Sequence, residues 1–127
     1  MNPYKLINIG VDFHDTLSYS PDFFRQLFLS WPGECYIVTG TPEGEREKTI
    51  EILKNEYGFE LGVHYKDISM GYNYTKEDGL NAGHFKRMRE RKLENLQKHN
   101  ITVFYDDNPY YVAYMKDHGI QIGRAHV

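Results

Sequence analysis

Leu-Ile-Asn-Ile-Gly-Val-Asp-Phe-His-Asp-Thr-Leu, residues 6–17, is the stretch that decides the fold of this 127-residue chain. Its first half, Leu6 to Val11, is a short and mostly apolar run that stops at an acid, Asp12. Such a run favours a strand buried on both faces, as in a parallel sheet, over a strand with alternating apolar and polar residues. The stretch therefore predicts a central strand that ends in a carboxylate.

Short apolar runs recur downstream, and helical patterns separate most of them. Further strands are predicted at Cys35–Val38, Leu61–Tyr65, Ile101–Tyr105 and Ile120–Ile122. Helices are predicted from Pro21 to before Trp31, from Thr41-Pro42 to Tyr57, from His84 to His99, and from after Pro109 to His118, with a loop over Asp67–Gly83. Strands that alternate with helices imply parallel βαβ units with right-handed crossovers, which is an α/β fold.

Composition excludes several classes of protein. Hydrophobic residues make up 40% of the chain, which argues against a disordered protein, and the net charge of −3 argues against stable, unspecific nucleic-acid binding. The single cysteine, Cys35, cannot form an intramolecular disulfide. No apolar run approaches the roughly 20 residues of a membrane span. We expect one cytoplasmic domain over residues 1–127, with no membrane partner.

Polar residues follow three of the predicted strands at the point where each strand ends. Asp12 follows the first strand, Thr39 follows the second, and Asp106 and Asp107 follow the strand at Ile101–Tyr105. Ligands of open parallel sheets bind beyond the carboxyl ends of the strands. We therefore expect these side chains to line one crevice.

In this order, the motifs resemble those of the haloacid dehalogenase superfamily, whose phosphatases use an aspartate nucleophile. The first family motif is an apolar strand followed by D-x-D-x-T-L, and residues 9–17 match it except that His14 replaces the second Asp. The second motif resembles Tyr-Ile-Val-Thr-Gly at residues 36–40, and the fourth resembles Val-Phe-Tyr-Asp-Asp at residues 103–107. The Asp-Asp-Asn-Pro run is also similar to the acidic pair of polynucleotide 3′-phosphatases and of small C-terminal-domain phosphatases. The lysine of the third motif is best matched by Lys86, with Lys66 and Lys92 as substitutes.

The resemblance implies a three-layer Rossmann-like sandwich with a mostly parallel sheet of about five strands. It also implies a hydrolase, a Mg²⁺-dependent phosphatase that forms an aspartyl-phosphate on Asp12. Members often carry a cap domain, but residues 13–34 and the loop 67–83 are too short to fold into one. The site should therefore be open to a bulky substrate such as a nucleic-acid end or a phosphoprotein. A nucleotide or another phosphorylated small molecule also stays open, as does homo-oligomerisation.

The family's chemistry assigns a role to each matched residue. Mg²⁺ would be held by the Asp12 carboxylate, the backbone carbonyl of His14, and Asp107, with Asp106 as a further ligand. Lys86 would balance negative charge. The phosphoryl oxygens would be bound by Thr16, Thr39 and Gly40.

The histidine in the first motif leaves three interpretations open. His14 has an ordinary pKa near 6.5 and is suited to act as the general acid and base. Asp15 is a second candidate for that role. In the third interpretation the proton transfers are impaired, which leaves a weak or inactive protein that binds phosphate or a partner.

Two rival classes fit less well. Receiver domains share acids, Thr and Lys on an α/β sheet, but their paired acids follow the first strand, whereas here the pair comes late. Dehalogenases of the superfamily work without Mg²⁺, and the acidic pair Asp106-Asp107 argues against one.

Overall fold

The computed structural model describes residues 6–123, which contain a five-stranded sheet with helices on both faces. The strands are β1 Asn8–Asp12, β2 Cys35–Pro42, β3 Asp67–Gly71, β4 Ile101–Tyr105 and β5 Gln121–Gly123. The helices are α1 Pro21–Ser30, α2 Arg46–Tyr57, α3 His84–Lys98 and α4 Pro109–Asp117. The sheet order is β3-β2-β1-β4-β5 and all neighbouring strands are parallel. The predicted three-layer α/β fold is confirmed.

Alternate side chains of the strands contribute to two apolar cores, one on each face of the sheet. On one face Ile9 and Val11 pack with buried side chains of α1 and α2, among them Phe24 and Leu53. On the other face the strands pack against α3 and α4, through the fully buried residues Val38, Leu96, Phe104 and Met115. This alternation is the two-residue period of a sheet that is covered on both sides.

The order of the strands places a crevice between β1 and β4. The chain runs from β1 outward to β2 and β3, and then returns through α3 to pair β4 with the other side of β1. Neighbouring crossovers therefore leave β1 and β4 toward opposite faces, which opens the sheet at their carboxyl ends. Asp12 ends β1 and Asp106 directly follows β4, so both predicted acids lie at this point.

The prediction of the third strand was wrong, because the strand that forms, β3, lies six residues further along the chain than the predicted one. The segment Leu61–Tyr65 forms only a single bridge between its two end residues, and Gly62 takes a left-handed backbone with φ of 85°. The true strand, β3, has the unremarkable sequence Asp-Ile-Ser-Met-Gly and was assigned to a loop. Segment β3 forms a strand because it pairs with β2, with Tyr36 opposite Asp67. The local sequence of β3 contains no pattern that predicts this pairing.

The predicted start of α2 was also too early. Thr41 and Pro42 belong to the end of β2, where Pro42 lies opposite Gly71, and one short turn over Glu43–Glu45 precedes the helix. Proline fits this edge of the strand because it supplies no N–H to the ladder. The end of α2 is as predicted: Gly58 adopts a left-handed backbone with φ of 75° and closes the helix.

The connections at the carboxyl edge are short. Between β1 and β2, most of the residues belong to the turn Phe13–Leu17 or to α1. Between β3 and α3, residues 72–83 contain one short turn, Asp78–Leu80. No folded cap is therefore inserted within residues 6–123. In that same range, none of the helices has the length and apolar character needed to cross a membrane.

Candidate active site

A cavity of about 790 Å³ opens at the carboxyl ends of β1 and β4. Most of the residues predicted to form the site line it: Asp12, His14, Thr16, Gly40, Asp106 and Asp107. The sheet thus brings together segments that are about 90 residues apart in sequence. The crevice expected from the ends of the strands is present.

The turn after β1 presents Asp12 and His14 to the cavity. Phe13 and His14 continue past the strand, and Asp15 then takes a left-handed backbone with φ of 61°. Asp tolerates this conformation better than most residues because its short side chain bonds locally. The turn closes where the Ser18 N–H donates to the Phe13 carbonyl at 3.0 Å.

Asp12 is a buried carboxylate with one buried cationic partner. Its side chain lies 3.4 Å from the Lys92 ammonium, measured from Oδ1 to Nζ. Burial raises the pKa of Asp12, and the attraction of Lys92 opposes that rise without cancelling it. Lys92 also lies 4.1 Å above the centre of the Tyr111 ring, which fixes the ammonium from a second side.

Asp106 is the second buried acid of the cavity. Its Oδ1 accepts a hydrogen bond of 2.9 Å from the Asn108 N–H, which holds the carboxylate in place after β4. Its Oδ2 is buried and has no hydrogen-bond partner in the structure. Burial, together with the nearby charge of Asp12, raises the pKa of Asp106 to about 7. A buried carboxylate in this state lacks a partner for its charge.

The hydroxyl of Thr16 is a second polar group of the cavity without a partner. Thr16 is almost fully buried, and its Oγ1 makes no hydrogen bond in the structure. A buried hydroxyl is normally paired, so an unpaired one in a cavity wall is suited to a ligand. It lies in the same wall as Asp12 and His14.

Thr39 supports the site from behind and does not line the cavity itself. It is fully buried, and its hydroxyl accepts a hydrogen bond of 3.1 Å from the Thr41 N–H. The two threonine hydroxyls are 3.0 Å apart, and His14 Nε2 lies 3.4 Å from the Thr41 hydroxyl. Thr39 therefore shapes the turn that brings Gly40 to the cavity and links it to His14.

The environment of His14 favours the neutral form of its ring. Removal of part of the ring from water lowers the pKa of His14, and the nearby Asp15 opposes that effect. The ring stacks on Phe13 with centroids 4.6 Å apart. Asp15 also lines the cavity, so both candidates for proton transfer reach the same space.

The structure brings Lys92, and not Lys86, to Asp12. Lys86 is exposed and does not line the cavity, and Lys66 is exposed in an ion pair with Glu34. Six residues in an α-helix correspond to a rotation of about 240°, so Lys86 and Lys92 cannot share a face. One feature of the sequence does indicate that Lys92 points inward: it lies four residues from both Met88 and Leu96 and so interrupts the apolar face of α3.

Aromatic residues of the cavity were not assigned to it from the sequence. Tyr74 and Tyr111 both line it, and the Tyr74 hydroxyl donates to the Gly40 carbonyl at 2.9 Å. Burial raises the pKa of Tyr111 to about 12, so it stays protonated. These rings give the cavity apolar walls around its acids.

The donor set of the cavity fits a hard divalent cation. Among residues 6–123 no three His, Cys, Asp or Glu side chains are grouped closely enough to form a complete metal centre by themselves. Mg²⁺, however, needs only one or two carboxylates and keeps several waters. Asp12, Asp106 and Asp107 supply carboxylates, and the unpaired Oδ2 of Asp106 is the kind of atom a cation satisfies.

Comparison with known proteins gave no match: neither a protein-family model nor a curated protein corresponds to this chain. The geometry of the cavity therefore carries the functional argument.

Proposed function

We propose that the protein is a Mg²⁺-dependent phosphomonoester hydrolase of the haloacid dehalogenase type, working in the cytoplasm through an aspartyl-phosphate on Asp12. The observation that carries this proposal is the buried Asp12, paired with Lys92 in a cavity that also holds Asp106 and Asp107. Strongly perturbed acids in a cleft are typical of functional sites.

Asp12 is suited to be the nucleophile. Its carboxylate attacks phosphorus and forms an acyl phosphate as the phosphorus–oxygen bond of the ester breaks, and the leaving ester oxygen takes a proton from His14 or from water. Water then attacks the phosphorus of the acyl phosphate and gives up a proton, which releases inorganic phosphate and restores the carboxylate. Dividing the displacement in this way replaces one difficult step with two easier ones. The position of Asp12 at the end of a central strand holds it rigidly against the cavity.

Charge neutralisation is the main obstacle for such a reaction, because a carboxylate must approach a phosphoryl group of the same sign. Four acids line the cavity: Asp12, Asp15, Asp106 and Asp107. Lys92 is the one lysine or arginine in that lining among the described residues. A phosphate monoester therefore needs a further cation in order to bind.

Mg²⁺ would supply that charge and polarise the phosphoryl oxygens when bound. Asp12, the His14 carbonyl and Asp107 would hold it, with Asp106 as a further ligand or as a partner of its waters. This assignment gives the unpaired Oδ2 of Asp106 a partner. Thr16 and Gly40 line the cavity, so we assign the Thr16 hydroxyl and the Gly40 N–H to the phosphoryl oxygens, and Lys92 takes the charge-balancing role first assigned to Lys86.

His14 is proposed to transfer the protons. Its imidazole lines the cavity beside Asp12, and its Nε2 is kept near Thr41. A neutral ring is a competent base for the water of the second step but a poor acid for the first step. Esters with good leaving groups should therefore be hydrolysed faster than alkyl phosphates.

Turnover of 4-nitrophenyl phosphate, measured with Mg²⁺ and with a chelator, tests the proposal. We expect turnover that depends on Mg²⁺, together with a phosphoryl group on the peptide containing Asp12 when the reaction is quenched in acid and analysed by mass spectrometry. Turnover that survives chelation, or a phosphoryl group on another residue, would contradict the mechanism. The matched test of His14 is His14→Asp, which should raise turnover of alkyl phosphates more than that of 4-nitrophenyl phosphate.

The second candidate is a protein that binds phosphate or a partner and turns over weakly or not at all. The lowered pKa of His14 favours it, because a neutral imidazole is a poor proton donor to the leaving group. This candidate predicts Mg²⁺ and phosphate binding by calorimetry without turnover of 4-nitrophenyl phosphate. Turnover at an enzymatic rate would exclude it.

A further inference from the structure

An unbroken run of aromatic rings borders the cavity on the side of α3 and α4. The ring centroids are 4.7 Å apart for Tyr74 and His84, 5.7 Å for His84 and Phe85, 6.0 Å for Phe85 and Tyr110, and 5.5 Å for Tyr110 and Tyr111. Tyr74, His84 and Tyr111 line the cavity. Phe85 and Tyr110 come next to them in sequence, at the starts of two helices, and so lie at its mouth.

The two rings at the mouth are exposed to water. The exposed fraction is 55% for Phe85 and 41% for Tyr110, although each lies within one residue of a side chain in the cavity wall. The two rings meet edge to face at an angle of 73°, so each presents its own exposed apolar surface to a partner. That surface is continuous with the cavity.

Cations are concentrated beside these rings. Residues 86–92 hold five of the 15 lysines and arginines of a chain whose net charge is −3, with Glu90 as the one acid in that stretch. The Arg89 guanidinium lies 5.4 Å from the centre of the Tyr110 ring and 4.4 Å from that of Tyr114. Arg87 lies about 200° around the helix from Phe85 and Arg89, with its guanidinium 4.1 Å from the Tyr72 ring. Lys92 turns into the cavity, while the other four stay outside it.

From this arrangement we propose that the substrate is the terminal phosphate of a single-stranded oligonucleotide. This inference rests on the proposed function, because it uses the Asp12 cavity for the phosphate. The last bases stack on Phe85 and Tyr110, and the phosphate between them runs toward Arg89. We call these three residues, Phe85, Arg89 and Tyr110, the mouth surface.

The chemistry of the mouth surface favours a nucleic-acid strand over other phosphorylated molecules. Stacking of bases on aromatic rings beside a positively charged track is how proteins hold single strands without reading their sequence. A sugar phosphate has no flat ring to stack, and a phosphopeptide lacks the repeated charges that several cations would neutralise. The short connections at the carboxyl edge let the rest of the strand leave the site.

Binding should be weak and sensitive to salt, because the net charge of the whole chain is negative. Each phosphate neutralised on a single strand contributes a slope of about −0.7 to the dependence of log affinity on log salt. For about three phosphates, raising salt tenfold should weaken binding about a hundredfold.

The test is the binding of fluorescein-labelled hexathymidylate, measured by anisotropy at low salt with Mg²⁺ present. The strand is supplied with a 3′-phosphate, a 5′-phosphate or no phosphate, and an unlabelled phosphoserine peptide serves as the competitor. We expect a terminal phosphate to tighten binding, and a peptide at equal concentration to displace little of the strand. Unlabelled hexathymidylate serves as the reference competitor. If the peptide displaces the labelled strand at the same concentration as this reference, the proposal is overturned in favour of a phosphoprotein substrate.

Matched variants locate the surface. Phe85→Ala combined with Tyr110→Ala should weaken binding of the hexamer about tenfold or more, since one stacked base contributes about 1–3 kcal/mol. Leu29→Ala removes another exposed apolar side chain, at the far end of α1, and should not change it. Arg89→Glu should weaken binding and flatten its salt dependence, whereas Lys48→Glu makes the same change of charge on the opposite face of the sheet and should do neither.

The two proposals fail separately in this design. Binding of the hexamer that is unchanged in the double variant overturns the mouth surface, even if 4-nitrophenyl phosphate is hydrolysed. Binding that depends on Phe85 and Tyr110 supports the surface even if no phosphate is released, and the absence of release then counts against the hydrolase.

Discussion

The two ends of strand β1 follow opposite physical rules. Ile9 and Val11 are fully buried among apolar side chains, so their burial stabilises the fold. Asp12, one residue further, is nearly as buried but carries a charge, with Lys92 as its partner and Asp106 nearby. The apolar layers thus contribute favourably to the free energy of folding and offset the unfavourable contribution of the carboxyl edge, where burying charged groups costs free energy.

Unpaired hydrogen-bonding groups occur on both sides of this contrast. The backbones of neighbouring strands pair through four parallel ladders. Four buried side-chain oxygens have no partner among the described residues: Thr16 Oγ1 and Asp106 Oδ2 at the cavity, and Tyr65 Oη and Ser69 Oγ away from it. Only the first two belong to residues that line the cavity, where a ligand can pair with them.

Replacing Asp12 with Asn is expected to have the largest effect. The variant keeps the shape of the side chain but removes the nucleophile, so turnover of 4-nitrophenyl phosphate should fall by about 10³-fold or more. Because the change also leaves Lys92 without its buried partner, the variant should melt at a lower temperature, and its turnover is compared per folded molecule below both transitions. Asp117→Asn, on the exposed end of α4, is the matched control and should leave both turnover and melting unchanged.

Lys92→Met tests the buried pair. Removing one partner of a buried ion pair costs about 3–5 kcal/mol, because the other charge is left uncompensated. We expect lower stability in urea and a loss of turnover of about a hundredfold. Lys98→Met, at the exposed end of the same helix, should change neither, and equal effects of the two variants would contradict the role of Lys92.

Leu53→Ala tests the apolar half of the comparison. Leu53 is fully buried between α2 and the sheet, so the truncation should lower the free energy of unfolding by about 2–4 kcal/mol. Because it lies outside the cavity lining, turnover per folded molecule should hold at low temperature. Urea denaturation and turnover of the same sample measure the two effects, and a change in KM would show that the halves are coupled.

Asp106→Asn should stabilise the protein when no divalent cation is bound. The pKa of Asp106 is raised to about 7 by folding, so between pH 4 and pH 7 the folded state holds a proton that the unfolded state lacks. The parent therefore loses stability as pH rises through this window, and the variant does not. The variant should melt about 5 °C higher at pH 8, with a smaller gain at pH 5.

In the presence of Mg²⁺ the parent should melt at a higher temperature than Asp106→Asn, which reverses the order expected without the cation. Binding to the folded state raises the melting temperature of the parent, and the loss of a ligand should reduce that rise in Asp106→Asn. A parent that melts at the same temperature with and without Mg²⁺ would contradict the assignment of Asp106.

The central part of the fold was predictable from the sequence because its signals are local. The strand before Asp12, the strand at Ile101–Tyr105 and the end of α2 at Gly58 all carry apolar runs or a glycine at the right place. The third strand was missed because its identity comes from pairing with β2, over a distance in sequence that local patterns do not report.

The candidate site divides in the same way. Asp12, Asp106 and Asp107 follow strands directly, so the end of a strand locates them. The lysine depends on how α3 rotates against the sheet, and that rotation selected Lys92 over Lys86. The inward position of Tyr74 and the bond of the Thr39 hydroxyl to the Thr41 N–H depend on loop geometry that spacing alone does not fix.

The contact between Lys92 and Asp12 joins residues 80 positions apart, and Tyr111 completes it from α4. Closing a loop of this length costs entropy that other contacts must offset. Asp12 gains its counter-charge and the neighbouring acids only when α3 and the residues after β4 pack on the sheet. Under the proposed function, turnover would therefore report that these separate segments have assembled.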